Sequence, residues 1–201
     1  MSYIPPQFRI SDRTTLDEFM TAHDFATVVS APPNGPIVSH VPVIVSWTGE
    51  SCTLIGHVAR TNPHWRVMDG ATAAVAIFHG PHGYVSPTWY ETEPAVPTWN
   101  YGVVHAHGHP TAVLDESFLR GVLDALVQRY EAQSLELPTD FYDKMLKAVV
   151  PFAMPVVQLD GKFKLGQNRS VADREATILA LEREGSTEAA LLAGFMRRYA
   201  F

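Results

Sequence analysis

Short apolar runs separated by turn-forming clusters dominate the first half of the chain. Phe25 to Ser30 is rich in β-branched residues, and Pro32-Pro33-Asn34-Gly35 follows it with turn chemistry. Val38 to Trp47 resumes the apolar pattern but contains Pro42, which predicts an edge or bulged strand. Thr48-Gly49-Glu50 turns the chain into Cys52 to His57, so the pattern is a meander of three strands. Thr72 to His79 is apolar enough for a central strand, and Gly80-Pro81-His82-Gly83 is expected to end it.

Other segments change the period. Residues 1–10 read as an extended arm, because Pro5 and Pro6 oppose helix. Thr14 or Thr15, followed by Asp17 and Glu18, resembles a capping box that opens a short helix through Met20. Pro97 to Leu114 reads as a long strand or bent pair, with Gly102 and Gly108 as candidate bulges. Asp115 caps an amphipathic helix from Glu116 to about Gln133, with Leu119, Val122, Leu126 and Val127 on one face. A second helix spans about Asp140 to Val150. Ala153 to Leu159 is a strand that Asp160-Gly161 would pair, as a hairpin, with Lys162 to Leu165. Past Ser170 the chain is helical, divided by Gly185-Ser186. Its last segment is mostly apolar, with Arg197 and Arg198 as the basic pair. That suits packing better than base reading.

Length and composition narrow the class. With 201 residues, 46% hydrophobic and 18% charged, the chain fits one soluble domain, 1–201, carrying 170–201 as a helical appendage. A net charge of −6 gives no electrostatic footprint for nucleic acid. The single Cys52 fits a reducing compartment. No segment approaches membrane-spanning length, and a cytoplasmic protein is expected.

Candidate chemistry concentrates in a few places. Between Gly83 and His109 lie Trp89 and Trp99, Tyr84, Tyr90 and Tyr101, and three histidines. Rigid rings with polar handles suit the wall of a pocket for a flat, partly polar molecule, or aromatic-capped turns closing a barrel. Asn62 is a good N-cap and Pro63 suits the first helical position. With Arg60 just before them, they form either an anion site or a capped surface helix. Gln167-Asn168-Arg169, near Lys162 and Lys164, could bond a heteroaromatic edge or a phosphate, or Asn168 or Ser170 could simply cap a helix. His105, His107 and His109 alternate, so an extended strand puts them on one face; no carboxylate accompanies them, and no metal is expected. There is no nucleophile elbow and no Gly-rich phosphate loop.

Several multi-residue motifs, in order, then carry a resemblance. They are His57-Val58-Ala59-Arg60-Thr61-Asn62-Pro63-His64-Trp65, Gly80 to Tyr90, Val96-Pro97-Thr98-Trp99-Asn100-Tyr101, Val104-His105-Ala106 and Lys164-Leu165-Gly166-Gln167-Asn168-Arg169. Together with Tyr3-Ile4-Pro5 and Asp173-Arg174, they make the chain resemble the PaiB family of FMN-binding negative transcriptional regulators over nearly its whole length. The resemblance implies an α+β fold, mainly β with helices: an FMN-binding split β-barrel of the pyridoxamine-phosphate-oxidase type. It also implies a homodimer with FMN near the subunit interface. On this chain it assigns the phosphate to Arg60, Thr61 and Asn62. It assigns ring and ribityl contacts to Trp99, Asn100, Gln167 and Asn168, and adds His57 and Lys164 as further cofactor-binding residues. One departure is Gly166, where the family pattern has Ser. The implied role is gene repression, directly on DNA or through a protein partner. An FMN-dependent oxidoreductase acting on a small molecule is the alternative, and a flavin- or haem-related binding module without turnover is a third reading.

Overall fold

The computed structural model describes residues 2–132 and 138–201. Among them are eight strands: β1 (Arg9–Ile10), β2 (Phe25–Ser30), β3 (Ile37–Thr48), β4 (Ser51–Ala59), β5 (Ala74–Val85), β6 (Thr98–Gly108), β7 (Thr111–Ala112) and β8 (Val149–Lys164). The α-helices are α1 (Arg13–Ala22), α2 (Glu116–Tyr130), α3 (Thr139–Ala148), α4 (Val171–Glu184) and α5 (Thr187–Tyr199). The strand order β8-β4-β3-β2-β5-β6 returns to β8, so six strands close into an antiparallel ring. This is the split β-barrel, with β1 and β7 added along β8.

Several expectations are corrected here. β3 is continuous because Pro42 falls where the strand changes partner: Ile37 to Pro42 pair with β2, and Val43 to Thr48 pair with β4. The missing N–H therefore sits at a handover, and Val43 N donates instead to Asp24 O at 2.9 Å. β5 runs straight through Gly80-Pro81-His82-Gly83 to Val85. Asp160-Gly161 is not a hairpin but the middle of a sixteen-residue β8. Gly161 is there because a Cβ would lie 2.5 Å from Leu16 Cδ2 and 2.8 Å from the carbonyl of Ile10, its β1 partner. Gly102 and Gly108 are also sites of close approach: a Cβ would come within 2.6 Å of the Phe195 ring and 2.3 Å of Pro155 O, respectively.

Helix starts differ in detail. The arm at residues 1–10 contains a 3-10 turn, Pro6–Phe8, because proline is tolerated at a first helical position. α1 is capped by Asp12, whose carboxylate accepts from Thr15 N and Thr15 Oγ1, both at 2.8 Å, in place of a threonine cap. Asp115 caps α2 as expected, accepting from Phe118 N at 2.8 Å. α2 closes at Tyr130; Gln133, its expected end, lies outside the described residues.

The chain divides into two compact units. One comprises residues 20–78 and 105–159, with Val28, Val43, Leu54, Phe78, Phe152 and Met154 fully or nearly buried. The other comprises residues 1–19, 79–104 and 160–201. In its core, Phe19 and Phe163 have ring centroids 4.9 Å apart, Phe163 and Phe195 another 4.9 Å, and Phe195 and Tyr199 5.0 Å. Among the described residues, no helix is long and apolar enough to cross a membrane.

Candidate functional site

The first group of candidate residues follows from the end of β4. His57 is the antepenultimate residue of that strand, and its Nδ1 is buried without a hydrogen-bond partner among the described residues. Burial holds its imidazole below the ordinary histidine pKa. Arg60 and Thr61 follow on the surface. The Arg60 guanidinium donates through Nε to Lys147 O at 2.7 Å and through Nη2 to Val149 O at 3.2 Å. Trp65 Nε1 in turn donates to Arg60 O at 3.0 Å. Asn62 caps a five-residue 3-10 turn, Pro63–Val67, accepting from His64 N at 3.0 Å.

His64 completes a buried network. Its side chain is fully buried, with Nδ1 2.8 Å from Ser39 Oγ and Nε2 2.8 Å from Ser30 Oγ. Asn62 Nδ2 also donates to Ser39 Oγ, at 2.9 Å. Burial lowers the His64 pKa, so the network holds a neutral ring. The segment Arg60 to Asn62 is thus pinned to β2, β3 and α3.

A cavity of about 330 Å³ opens beside Arg60. Its wall combines Arg60 and Lys147 with Asp115, Glu116 and Asp143. Three carboxylates against two cations make it a poor place for a dianionic phosphate.

The second group lies in the other unit. Trp99 is 54% exposed, with His82 and Tyr84 rings each centred 6.4 Å from its own, so the three form an aromatic face. The Lys164 ammonium donates to Trp99 O at 2.7 Å and to Thr98 Oγ1. Burial, with Lys162 adding, pulls its pKa down. Asn100 is 2% exposed and sends its Nδ2 to the Met196 sulphur at 3.4 Å, a weak acceptor. Gln167 closes its own turn, accepting from Leu165 N at 2.8 Å and donating to Phe163 O at 2.7 Å. Asn168, Asn100, Thr98 and Lys164 share the lining of a small cavity with Tyr90, Val96, Gly166 and Arg169. Gly166 has φ +83°, in the left-handed region that favours glycine.

Three features of these sites were not anticipated from the sequence. One is the His64 network. A second is the Arg169 guanidinium over the Tyr90 ring, 4.5 Å from its centroid. The third is Asp173, fully buried in the first turn of α4, whose carboxylate accepts from Glu91 N at 2.9 Å, Thr92 N at 3.1 Å and Thr92 Oγ1 at 2.5 Å. Ser170, spaced three before Asp173, is the readable signal, and it caps α4 by accepting from Asp173 N at 3.0 Å. The carboxylate, however, serves the aromatic loop. His105 and His107 share a face of β6 with rings 6.4 Å apart. Among the described residues, no three His, Cys, Asp or Glu side chains converge to hold a metal ion.

A family model described as "Putative FMN-binding domain" matches residues 2–158. The "Protease synthase and sporulation protein PAI 2" of Bacillus subtilis is 30% identical over 200 residues, covering 96% of both chains. The chain belongs to the PaiB family of FMN-binding proteins. An uncharacterised protein of Aspergillus fumigatus is also similar, 26% identical over 85% of this chain and 87% of its own. Two solved structures share the PaiB chain's fold. The FAD and heme binding protein of Mycobacterium smegmatis has a TM-score of 0.61 and 20% identity, covering 79% of this chain and 74% of that one. The flavocytochrome Anf3 of Azotobacter vinelandii has a TM-score of 0.60 and 14% identity, covering 79% and 70%. FMN is the cofactor of this PaiB protein. Its residues fit that group. The aromatic face at Trp99 suits a flat ring, and the orphaned buried nitrogen of His57 beside Arg60 suits a polar ligand group. Bound FMN supplies an isoalloxazine that exchanges electrons, and the protein supplies position and electrostatics.

Proposed function

We propose that this protein is a homodimeric, cytoplasmic FMN-binding regulator of the PaiB type. The observation that carries the reading is the exposed aromatic face of Trp99, Tyr84 and His82, with the Lys164 ammonium fixed on the Trp99 carbonyl. A flavin ring needs a flat apolar surface with polar groups at its edge. Trp99, Asn100, Lys164, Gln167 and Asn168 serve the ring and ribityl chain. His57, Arg60, Thr61 and Asn62 serve the phosphate. The dimer is supported by large apolar side chains at the surface, among them Phe25 at 66% and Val38 at 51% exposure.

Direct base reading by α5 is disfavoured. Arg197 pairs with Glu182 at 2.8 Å and Arg198 with Glu18 at 2.6 Å, so its basic residues face carboxylates. Repression then acts through a protein partner or through the state of the flavin. A second reading, an FMN-dependent oxidoreductase acting on a small molecule, is favoured by the cavity lined by Lys164 and Arg169.

The deciding experiment is the visible absorption spectrum of protein loaded with FMN and freed of excess. Retained flavin bands support the reading, whereas a protein that stays colourless overturns it. Arg60→Ala is expected to weaken FMN binding about tenfold to a hundredfold while sparing riboflavin, because a charge-assisted contact to phosphate is lost. Arg60→Lys should recover part of that, since its charge remains while the fork to two carbonyls does not. Salt-sensitive DNA binding would mark a regulator acting on DNA, and NAD(P)H-dependent bleaching would mark the enzyme.

A further inference from the structure

The cavity of about 110 Å³ in the unit that carries Trp99 is smaller than pockets that take drug-sized ligands, roughly 300 Å³ and up. A tricyclic ring does not fit it; a group the size of a few waters, each about 30 Å³, does. Its polar lining is Tyr90, Thr98, Asn100, Lys164, Asn168 and Arg169. Two of these are cations and none is a carboxylate, although the chain as a whole carries 21 acidic against 15 basic residues. Among the described residues, Lys164 finds the neutral acceptors Thr98 Oγ1 and Trp99 O and no carboxylate. Arg169 is half-buried against the Tyr90 ring and has no carboxylate partner among the described residues. Partly desolvated cations without a directly paired carboxylate are costly, and a bound anion would offset that cost. Asn100, whose Nδ2 reaches a weak sulphur acceptor, keeps a good donor ready for a better one.

We propose that this cavity is a binding site for a phosphate or carboxylate group, with Arg169 and Lys164 supplying charge and Tyr90, Thr98, Asn100 and Asn168 supplying neutral hydrogen bonds. Two sources share this chemistry: a separate small anionic ligand, or the phosphate of FMN itself, in which case Arg169 and Lys164 hold it in place of the Arg60 segment. The proposal goes beyond flavin binding, because it assigns Tyr90, Thr98 and Arg169 a ligand and specifies its charge.

The probe is inorganic phosphate, followed by broadening of its phosphorus resonance with the flavin-free and the FMN-loaded protein. Binding to both forms, weakened about tenfold or more by Arg169→Gln and by Lys164→Met but little by Arg169→Lys, places a separate anion in the cavity. Binding to the flavin-free form alone, with Arg169→Gln weakening FMN far more than riboflavin, places the FMN phosphate there. Either result supports the site. No binding to either form, or binding unchanged in both charge-removing variants, overturns it. Circular dichroism of each variant separates loss of a contact from loss of fold. Because the flavin-free arm needs no FMN, the proposal and the flavin reading can fail separately.

Discussion

Asp173→Ala will destabilise the protein by about 3–5 kcal/mol in urea unfolding, the range for stripping a buried charged acceptor from several donors. The carboxylate is fully buried and holds three donors from residues 91 and 92. Truncation leaves two backbone N–H groups and a hydroxyl without an acceptor. Asp173→Asn should lose less, since its amide oxygen can still accept from the two N–H groups while its NH₂ faces the Thr92 hydroxyl. The loss also has a pH signature. The Thr92 hydroxyl, then the backbone N–H groups of Thr92 and Glu91, hold this carboxyl below the ordinary carboxylate pKa against the opposing effect of burial. A depressed carboxyl stabilises the fold above its unfolded pKa of about 3.9, and the contribution disappears as pH falls through the lower folded value. The wild-type protein should show that acid phase and the alanine variant should not. Tyr90, adjacent to the tethered residues, lines the anion cavity, so phosphate binding should weaken along with stability.

His64→Ala should cost about 3–4 kcal/mol, combining a cavity at a fully buried site with the loss of partners for Ser30 and Ser39. His64→Gln, which restores one polar contact, should recover part of it. His64, His57 and His23 all have pKa values lowered, in each case chiefly by burial. A histidine held below its ordinary value of about 6.5 protonates more readily in the unfolded chain. Its contribution is therefore complete above that pH and falls away below it. Wild-type stability should decline from about pH 6.5 downward, and the decline should be shallower in His64→Ala. A slope equal to that of the wild type would mean that this ring does not titrate with folding.

What the sequence revealed depended on whether the cause was local. Strands β2 and β4, the Asn62-Pro63 turn, the Asp115 cap and the break at Gly185-Ser186 are set by neighbours in the chain, and they were legible. Pro42 and Gly161 were misread, and the close approaches at Gly102 and Gly108 were not legible, because their causes are partners distant in sequence: a change of strand, Leu16, the Phe195 ring and the Pro155 carbonyl. The candidate site divides the same way. Lys164 with Asn168, and Arg60 with Asn62, stood out as clusters. The tie from Asp173 to residues 91 and 92 spans 82 and 81 positions, so no spacing pattern could have shown it. Family membership, by contrast, was carried by whole motifs in order, which survive when individual contacts cannot be foreseen.

β8 pairs with β1, β4, β6 and β7, and so supplies the seam that closes the ring. A ribosome delivers that strand after the other strands of the ring. While the chain grows from Ala59 to Val149, the outer edge of β4 has been made but its partner has not. The nascent protein therefore passes through a stage with a long open ladder of N–H and C=O groups, available to any neighbouring chain. Closure of the ring must wait for the last of its strands to be made, so yield in the cell depends on how well that edge is shielded in the interval.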